Sequence, residues 1–84
     1  MKNKEFLKKK IIYRSTHRGD KEMDLLLGNF VKKYIDSLDE EDLKDLDEII
    51  CMGDEVIHKW YFENKESELM SNNKVTKLLK DFSP

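Results

Sequence analysis

The sequence predicts an all-α protein, a compact bundle of about five short helices in a single domain spanning 1–84. Apolar residues recur at helical spacing in five separate segments. Glycine occurs three times and proline once, as the last residue, so little interrupts a helix. Alternating β-branched runs and Asn-Gly turns, which indicate strands, do not occur. Residues 1–4 and 83–84 are expected to fray.

The first two predicted helices carry the apolar pattern most clearly. The first, about 4–16, is followed by Gly19, which suits a helix C-terminus. The second, about 20–36, has the widest apolar stripe and is expected to be the central helix. Its first turn holds Asp20, Glu22 and Asp24, and acids are favoured there by the helix dipole. The apolar face of the first helix is predicted to comprise Phe6, Leu7, Ile11 and Ile12.

Three further helices are predicted in the second half of the chain. Ser37 to Glu40 has the pattern of a capping box and opens the third helix. Gly53 ends that helix, and Asp54 is expected to cap the fourth. Residues 64–73 are polar and are interpreted as a loop with some helical character, before a fifth helix at about 73–82. The predicted core includes Leu27, Phe30, Tyr34, Leu46, Ile50, Ile57, Trp60 and Leu79.

Charge is distributed unevenly along the chain, although the net charge is only −2. Residues 1–18 carry seven Lys or Arg against one acid, and residues 36–55 carry ten acids against one Lys. Such asymmetry can steer a partner, but on a small helical protein we expect two solvated faces. A nucleic-acid role, with a helix-turn-helix in the first two helices, is disfavoured by the acids that open the second.

The sequence contains no recognisable enzyme signature. Two His and one Cys are too few for a zinc site, and their spacing brings at most two ligands together. Cys51 follows an apolar run and is interpreted as a small core residue in a protein of a reducing compartment. Apolar runs are too short to cross a membrane, and the Lys-rich start lacks the pattern of a secretory signal.

The stretch that joins the first two helices is the most informative. Lys occurs fourteen times and Arg only twice, and both arginines, Arg14 and Arg18, lie here with His17 between them. Arginine pairs carboxylates in a planar, bidentate manner that lysine does not match. Alternatively, these cations and Gly19 end one helix, and Glu22 reaches back to a free N–H of the next. Helix caps are commoner than binding sites, and the residues alone leave both interpretations open.

Residues 13–30 resemble the signature of the SdhE-type FAD assembly factors of succinate dehydrogenase. The centre of the match is Arg-Gly-x-x-Glu, formed by Arg18, Gly19 and Glu22 and followed by Asp24. A weaker match is Asp54-x-x-Ile57-x-x-Trp60, and the resemblance extends over about 6–65. Asp20 stands where the family commonly has Met or a small neutral residue, and its charge is expected to weaken or retune docking.

The resemblance implies a helper that binds the flavoprotein subunit of succinate dehydrogenase, or of fumarate reductase, and promotes covalent attachment of FAD. It implies no catalytic site, no stably bound cofactor, and a location in the bacterial cytoplasm or the mitochondrial matrix. The partner-binding residues it implies are Arg14, His17, Arg18, Gly19, Glu22 and Asp24. The alternative is an antitoxin-like or nucleic-acid-binding regulator that uses the basic N-terminal helix, because some members of the family have been described as antitoxins.

Overall fold

A computed structural model describes residues 2–17, 20–68 and 70–83, with side chains from residue 4 onward. Within these residues the chain forms five helices and no strand, which confirms the predicted all-α class. The helices are α1 (Lys2–Thr16), α2 (Lys21–Tyr34), α3 (Glu40–Ile50), α4 (Asp54–Phe62) and α5 (Lys74–Asp81). They pack into one body with extents of 37 × 25 × 20 Å. Fraying of residues 1–4 and 83–84 remains a prediction.

The second helix is the centre of the core, as its apolar stripe predicts. Five of its residues are buried: Met23, Leu26, Leu27, Phe30 and Val31. Six of the eight predicted core residues are fully or almost fully buried. The other two, Tyr34 and Trp60, are half-buried and pack against the core with one edge in water, as expected for aromatic residues with a polar group.

The predicted apolar face of α1 is only half right. Ile11 is fully buried and Leu7 packs at the edge of the core, but Phe6 is 71% exposed and Ile12 46% exposed. Ser15 takes the second buried position, and its hydroxyl donates a 2.9 Å hydrogen bond to the carbonyl of Ile12. The helix therefore contacts the bundle along a narrow stripe, and residues one position off that stripe face solvent.

The basic first helix lies against the acidic third helix, so the expectation of two solvated faces is wrong for this pair. Lys10 donates to Asp47 at 3.2 Å, and Arg14 lies 3.6 Å from the other oxygen of the same carboxylate. Lys8 pairs at 3.2 Å with Asp36, which follows α2. The charge asymmetry along the sequence is therefore partly neutralised within the fold.

Two helix starts differ from the prediction by one or two residues. The N-cap of α3 is Asp39, whose carboxylate accepts the N–H of Asp42 at 2.9 Å. Ser37 cannot take this role because it belongs to the turn that ends α2, where its N–H donates to the carbonyl of Tyr34. The cap of α4 is Gly53, without a side-chain hydrogen bond, and the predicted cap Asp54 is the first residue of the helix.

The end of α4 is closed by an asparagine. Asn64 has a φ of 54°, in the left-handed region that asparagine tolerates better than most residues. The N–H groups of Glu63 and Lys65 both return to the carbonyl of Lys59, at 3.2 and 3.0 Å. This geometry ends α4 at a fixed point, and residues 64–68 and 70–73 then lead to α5 without a further helix.

The last helix begins and ends with specific polar contacts. Asn73 and Thr76 form a reciprocal capping box with 2.9 Å hydrogen bonds in both directions. Beyond the helix, the hydroxyl of Tyr61 donates to the carbonyl of Phe82. The ring of Phe82 packs edge-on against Phe30, with centroids 5.4 Å apart, so α5 is joined to both α4 and the core.

Gly28 lies inside α2, where α1 passes close by. A Cβ atom there would lie 3.9 Å from the methyl carbon of Thr16 and 4.0 Å from the carbonyl oxygen of Ser15, both ordinary contacts. Because glycine weakens a helix interior relative to alanine, we expect Gly28→Ala to stabilise the protein by about 0.5–1 kcal/mol. Urea unfolding measures this change, and a destabilised variant would show that α1 and α2 lie closer than described.

Asp20 is the N-cap of α2 and accepts the N–H of Glu22 at 2.9 Å. Replacing a capping aspartate by a residue that cannot accept this hydrogen bond costs about 0.5–2 kcal/mol. We therefore expect Asp20→Met to lower the free energy of unfolding by that amount. Asp20→Asn is the matched control, because asparagine caps as well as aspartate; equal stability of the two variants would contradict the capping role.

Candidate functional site

Four of the six predicted partner-binding residues can be placed in the structure. Arg14 lies in the last turn of α1 and His17 directly follows that helix, whereas Glu22 and Asp24 lie in the first turn of α2. Arg18 and Gly19 fall outside the described residues. We use "the α1–α2 corner" for residues 13–24, the stretch from the last turn of α1 to the first turn of α2.

His17 closes the end of α1. Its Nδ1 lies 2.7 Å from the carbonyl oxygen of Tyr13, and since a carbonyl only accepts, the proton of this hydrogen bond belongs to the ring. The imidazole also stacks on the Tyr13 ring, with centroids 4.0 Å apart and planes 16° from parallel. This hydrogen bond to a carbonyl of the last turn stabilises the C-terminus of α1, which agrees with the capping interpretation. Both rings remain exposed, so they also form a flat aromatic surface at the corner.

Arg14 is directed towards α3. Its Nη1 donates to the sulfur of Cys51 at 2.8 Å and lies 3.6 Å from Asp47, while 43% of the side chain remains exposed. The expectation that Cys51 is a core residue is wrong: it is the exposed C-cap of α3. The apolar run before it ends at Ile50, which is buried, and the chain turns outward at the next residue.

An open cleft of about 610 Å³ separates the end of α1 from the turn between α3 and α4. Tyr13, Arg14 and His17 line one side of this cleft, and residues 50–54 line the other. The two segments that carried the family resemblance, the corner and the start of the Asp54–Trp60 stretch, therefore meet here although they are distant in sequence.

Glu22 faces the fourth helix. Its carboxylate lies 3.4 Å from Nε2 of His58, and the other ring nitrogen of His58 lies 3.5 Å from Glu63. The backbone N–H of Glu22 donates to the carboxylate of Asp20, the N-cap of α2. Sequence reasoning considered His58 only as a metal ligand, and no local spacing links it to Glu22.

Asp24 belongs to a different side of α2. It lines a shallow pocket with residues of α2 and the end of α1, next to Leu25, whose side chain is 61% exposed. Successive positions on a helix are 100° apart, so Glu22 and Asp24 project in nearly opposite directions. The predicted site residues thus form a corner with two faces rather than one continuous pocket.

The chemistry of the corner suits recognition. Cations, carboxylates and aromatic rings are exposed side by side, and no three His, Cys, Asp or Glu side chains of the described residues converge as metal ligands. On α4, a hydrogen bond from Lys59 to Glu55 raises the pKa of the lysine. No described helix combines the length and apolar character needed to cross a bilayer.

Known proteins with similar sequences agree with the resemblance. A family model described as "Flavinator of succinate dehydrogenase" matches residues 9–83, which include the whole corner. The chain is 35% identical over 74 residues to succinate dehydrogenase assembly factor 2 of Arabidopsis thaliana, covering 87% of this chain and 39% of that protein. It is 38% identical over 78 residues to the Saccharomyces cerevisiae protein of the same name, covering 88% and 48%.

A bacterial relative also matches. The FAD assembly factor SdhE of Acetobacter pasteurianus is 34% identical over 55 residues, which cover 66% of this chain and 50% of that protein. The chain spans about two fifths to half the length of the curated relatives described here. With a family model that covers nearly all of its residues, the chain belongs to the family of succinate dehydrogenase flavinators.

Proposed function

We propose that this protein binds the flavoprotein subunit of succinate dehydrogenase, or of fumarate reductase, and promotes covalent attachment of FAD to it. In this proposal the protein has no catalytic site and holds no cofactor of its own. It works in the bacterial cytoplasm or, in a eukaryote, in the mitochondrial matrix. Relatives named as mitochondrial assembly factors and as a bacterial FAD assembly factor support this assignment.

The observation that carries the proposal is that the two resemblance segments lie next to each other in the fold, at two places. Tyr13, Arg14 and His17 face Asp54 across the open cleft, and Glu22 contacts His58 of the next helix. A surface of charges and aromatic side chains on rigid helix ends suits a protein partner, because such groups confer specificity at interfaces.

The proposed mechanism is selection of a partner conformation. Arg18 pairs a carboxylate or a carbonyl of the flavoprotein, Glu22 accepts a hydrogen bond or an ion pair, and Gly19 lets the partner backbone approach closely. A factor that binds only the cofactor-loaded, attachment-ready form raises the population of that form. The chemistry of flavin attachment then belongs to the flavoprotein.

The charges of the structure favour a protein partner over nucleic acid. Lys8, Lys10 and Arg14 of the basic first helix are engaged by Asp36 and Asp47. The start of α2, which would enter the groove in a helix-turn-helix, carries acids that phosphates repel. The regulator alternative therefore gains no support from the arrangement of the described residues.

Substitutions in the motif test the docking role directly. We expect Arg18→Ala and Glu22→Ala to remain folded and to lose binding of the flavoprotein together with covalent flavinylation. Loss of a hydrogen-bonded charge at an interface costs about 2–5 kcal/mol, which corresponds to roughly 30-fold to several thousand-fold in affinity. Melting temperature, pull-down of the flavoprotein and in-gel flavin fluorescence are measured on the same samples. A bulky Gly19 variant that melts near-normally but does not bind indicates that its side chain blocks the approach of the partner, whereas a lowered melting temperature indicates a strained turn.

Exposed ion pairs away from the corner provide the controls. Glu55→Ala removes an acid of α4 that pairs with Lys59 at 3.0 Å, and Lys44→Ala removes a cation of α3 that pairs with Glu40 at 3.8 Å. Both are expected to flavinylate the partner normally. If the Arg18 and Glu22 variants are folded and equally active, the corner is ordinary helix capping and the site assignment is wrong.

Free FAD is expected to bind weakly or not at all. The open cleft ends at the start of α4, where Asp54 and Glu55 occupy the first turn and oppose the negative charge of a pyrophosphate. The sequence also lacks the glycine-rich loop that holds dinucleotides. Calorimetry with FAD measures this, and a sub-micromolar dissociation constant would contradict the helper mechanism.

A further inference from the structure

We propose that His58 is a positioning residue for Glu22, which it holds in the orientation that meets the flavoprotein. The inference rests on the proposed function, and it assigns to α4 a part in a site that the sequence placed in α1 and α2 alone. The second resemblance motif does not specify this histidine, which occupies one of the variable positions between Asp54 and Trp60.

The geometry places the imidazole of His58 between two carboxylates. Glu22 of α2 lies 3.4 Å from Nε2, and Glu63 at the end of α4 lies 3.5 Å from Nδ1. The Glu22 side chain is 62% exposed, whereas that of His58 is 34% exposed. Glu22 can therefore contact the ring on one side and a partner on the other.

The groups around the ring are themselves fixed. Glu63 is the C-cap of α4, followed by the left-handed Asn64 that ends the helix at a set point. Phe62 packs against the imidazole with centroids 4.9 Å apart, and Ile57, next to His58 in sequence, is fully buried. The histidine is thus held by a rigid helix end, whereas Glu22 by itself has three rotatable side-chain bonds.

The ring of His58 lies within an ion-pair cluster. Glu22 from α2 and Glu63 from α4 lie within ion-pair distance of its two nitrogens, and Asp54 lies one turn earlier on α4. The other oxygen of Glu63 lies 3.8 Å from Lys65. The imidazole therefore occupies the space between the two carboxylates and restricts where the Glu22 side chain can lie.

A fixed carboxylate binds better than a mobile one. Association restricts side chains at an interface, and a side chain already held in its bound orientation loses less freedom. His58 therefore affects affinity through Glu22 without itself touching the partner. This separates a positioning role from a direct contact, because removal of Glu22 must abolish any effect of the histidine.

The experiment is a double-mutant cycle with the purified flavoprotein subunit of succinate dehydrogenase. We expect His58→Ala to weaken binding about three- to tenfold at pH 6, with an unchanged melting temperature, and to have no effect in the Glu22→Ala background. His58→Gln, which keeps one N–H donor, should recover part of the affinity.

Lys59→Ala is the matched control. Lys59 is the neighbour of His58 on α4, and it pairs with Glu55 at 3.0 Å rather than with Glu22. It should bind the flavoprotein as the wild type does. Normal binding by His58→Ala, or a loss that adds fully to that of Glu22→Ala, would overturn the proposal.

The free protein separates this proposal from the proposed function. In nitrogen-15 spectra of the histidine ring at pH 6, Glu22→Gln should shift the His58 signals and Glu55→Gln should not. Unchanged signals would overturn the positioning role even if the flavoprotein binds. If the wild type does not bind the flavoprotein, the proposed function fails and the positioning role fails with it, while the ring signals still report whether the contact exists.

Discussion

The carboxylate of Asp47 determines where the first helix lies, and the α1–α2 corner depends on that placement. Apolar packing alone holds α1 weakly, since of its described side chains only Ile11 and Ser15 are buried. Asp47 is only 17% exposed and accepts a hydrogen bond from Lys10. Its other oxygen has no hydrogen-bond partner among the described groups and lies 3.6 Å from Arg14. A carboxylate so far removed from water needs nearby cations, and both are supplied by α1.

This arrangement changes the meaning of the two arginines. The sequence suggests that they act together, because they are the only arginines and lie one helical turn apart. In the structure Arg14 already has a role within the fold, where it links α1 to Asp47 and to the sulfur of Cys51. The same nitrogen, Nη1, makes both contacts, as a hydrogen bond to the sulfur and as an ion-pair contact with the carboxylate. The proposed docking role therefore depends more on Arg18 and Glu22 than on Arg14.

The sequence predicted correctly the buried residues that belong to a broad apolar stripe. It missed cases in which the burial of one residue depends on the placement of a single position. The buried face of α2 follows directly from its spacing, and so does the five-helix class. The exposure of Phe6 and Ile12 could not be predicted, because the four apolar residues of α1 allow more than one side of the helix to face the core. The ion pairs with α3 determine which side does. Cys51 was misplaced because α3 ends at Ile50. The side chain of Cys51, the C-cap that follows, therefore faces solvent instead of continuing the buried face of the helix.

The contact between Glu22 and His58 shows a further limit of sequence patterns. Local rules explain how Glu22 is placed in a first turn and how Asn64 ends α4, but tertiary packing brings the two helices together. The described part of the corner consists of helix ends, where charged side chains are exposed without loss of core packing and where Asp20 caps the start of α2. Helix ends thereby present charges in fixed directions, and His58 extends this to a carboxylate that capping alone leaves mobile.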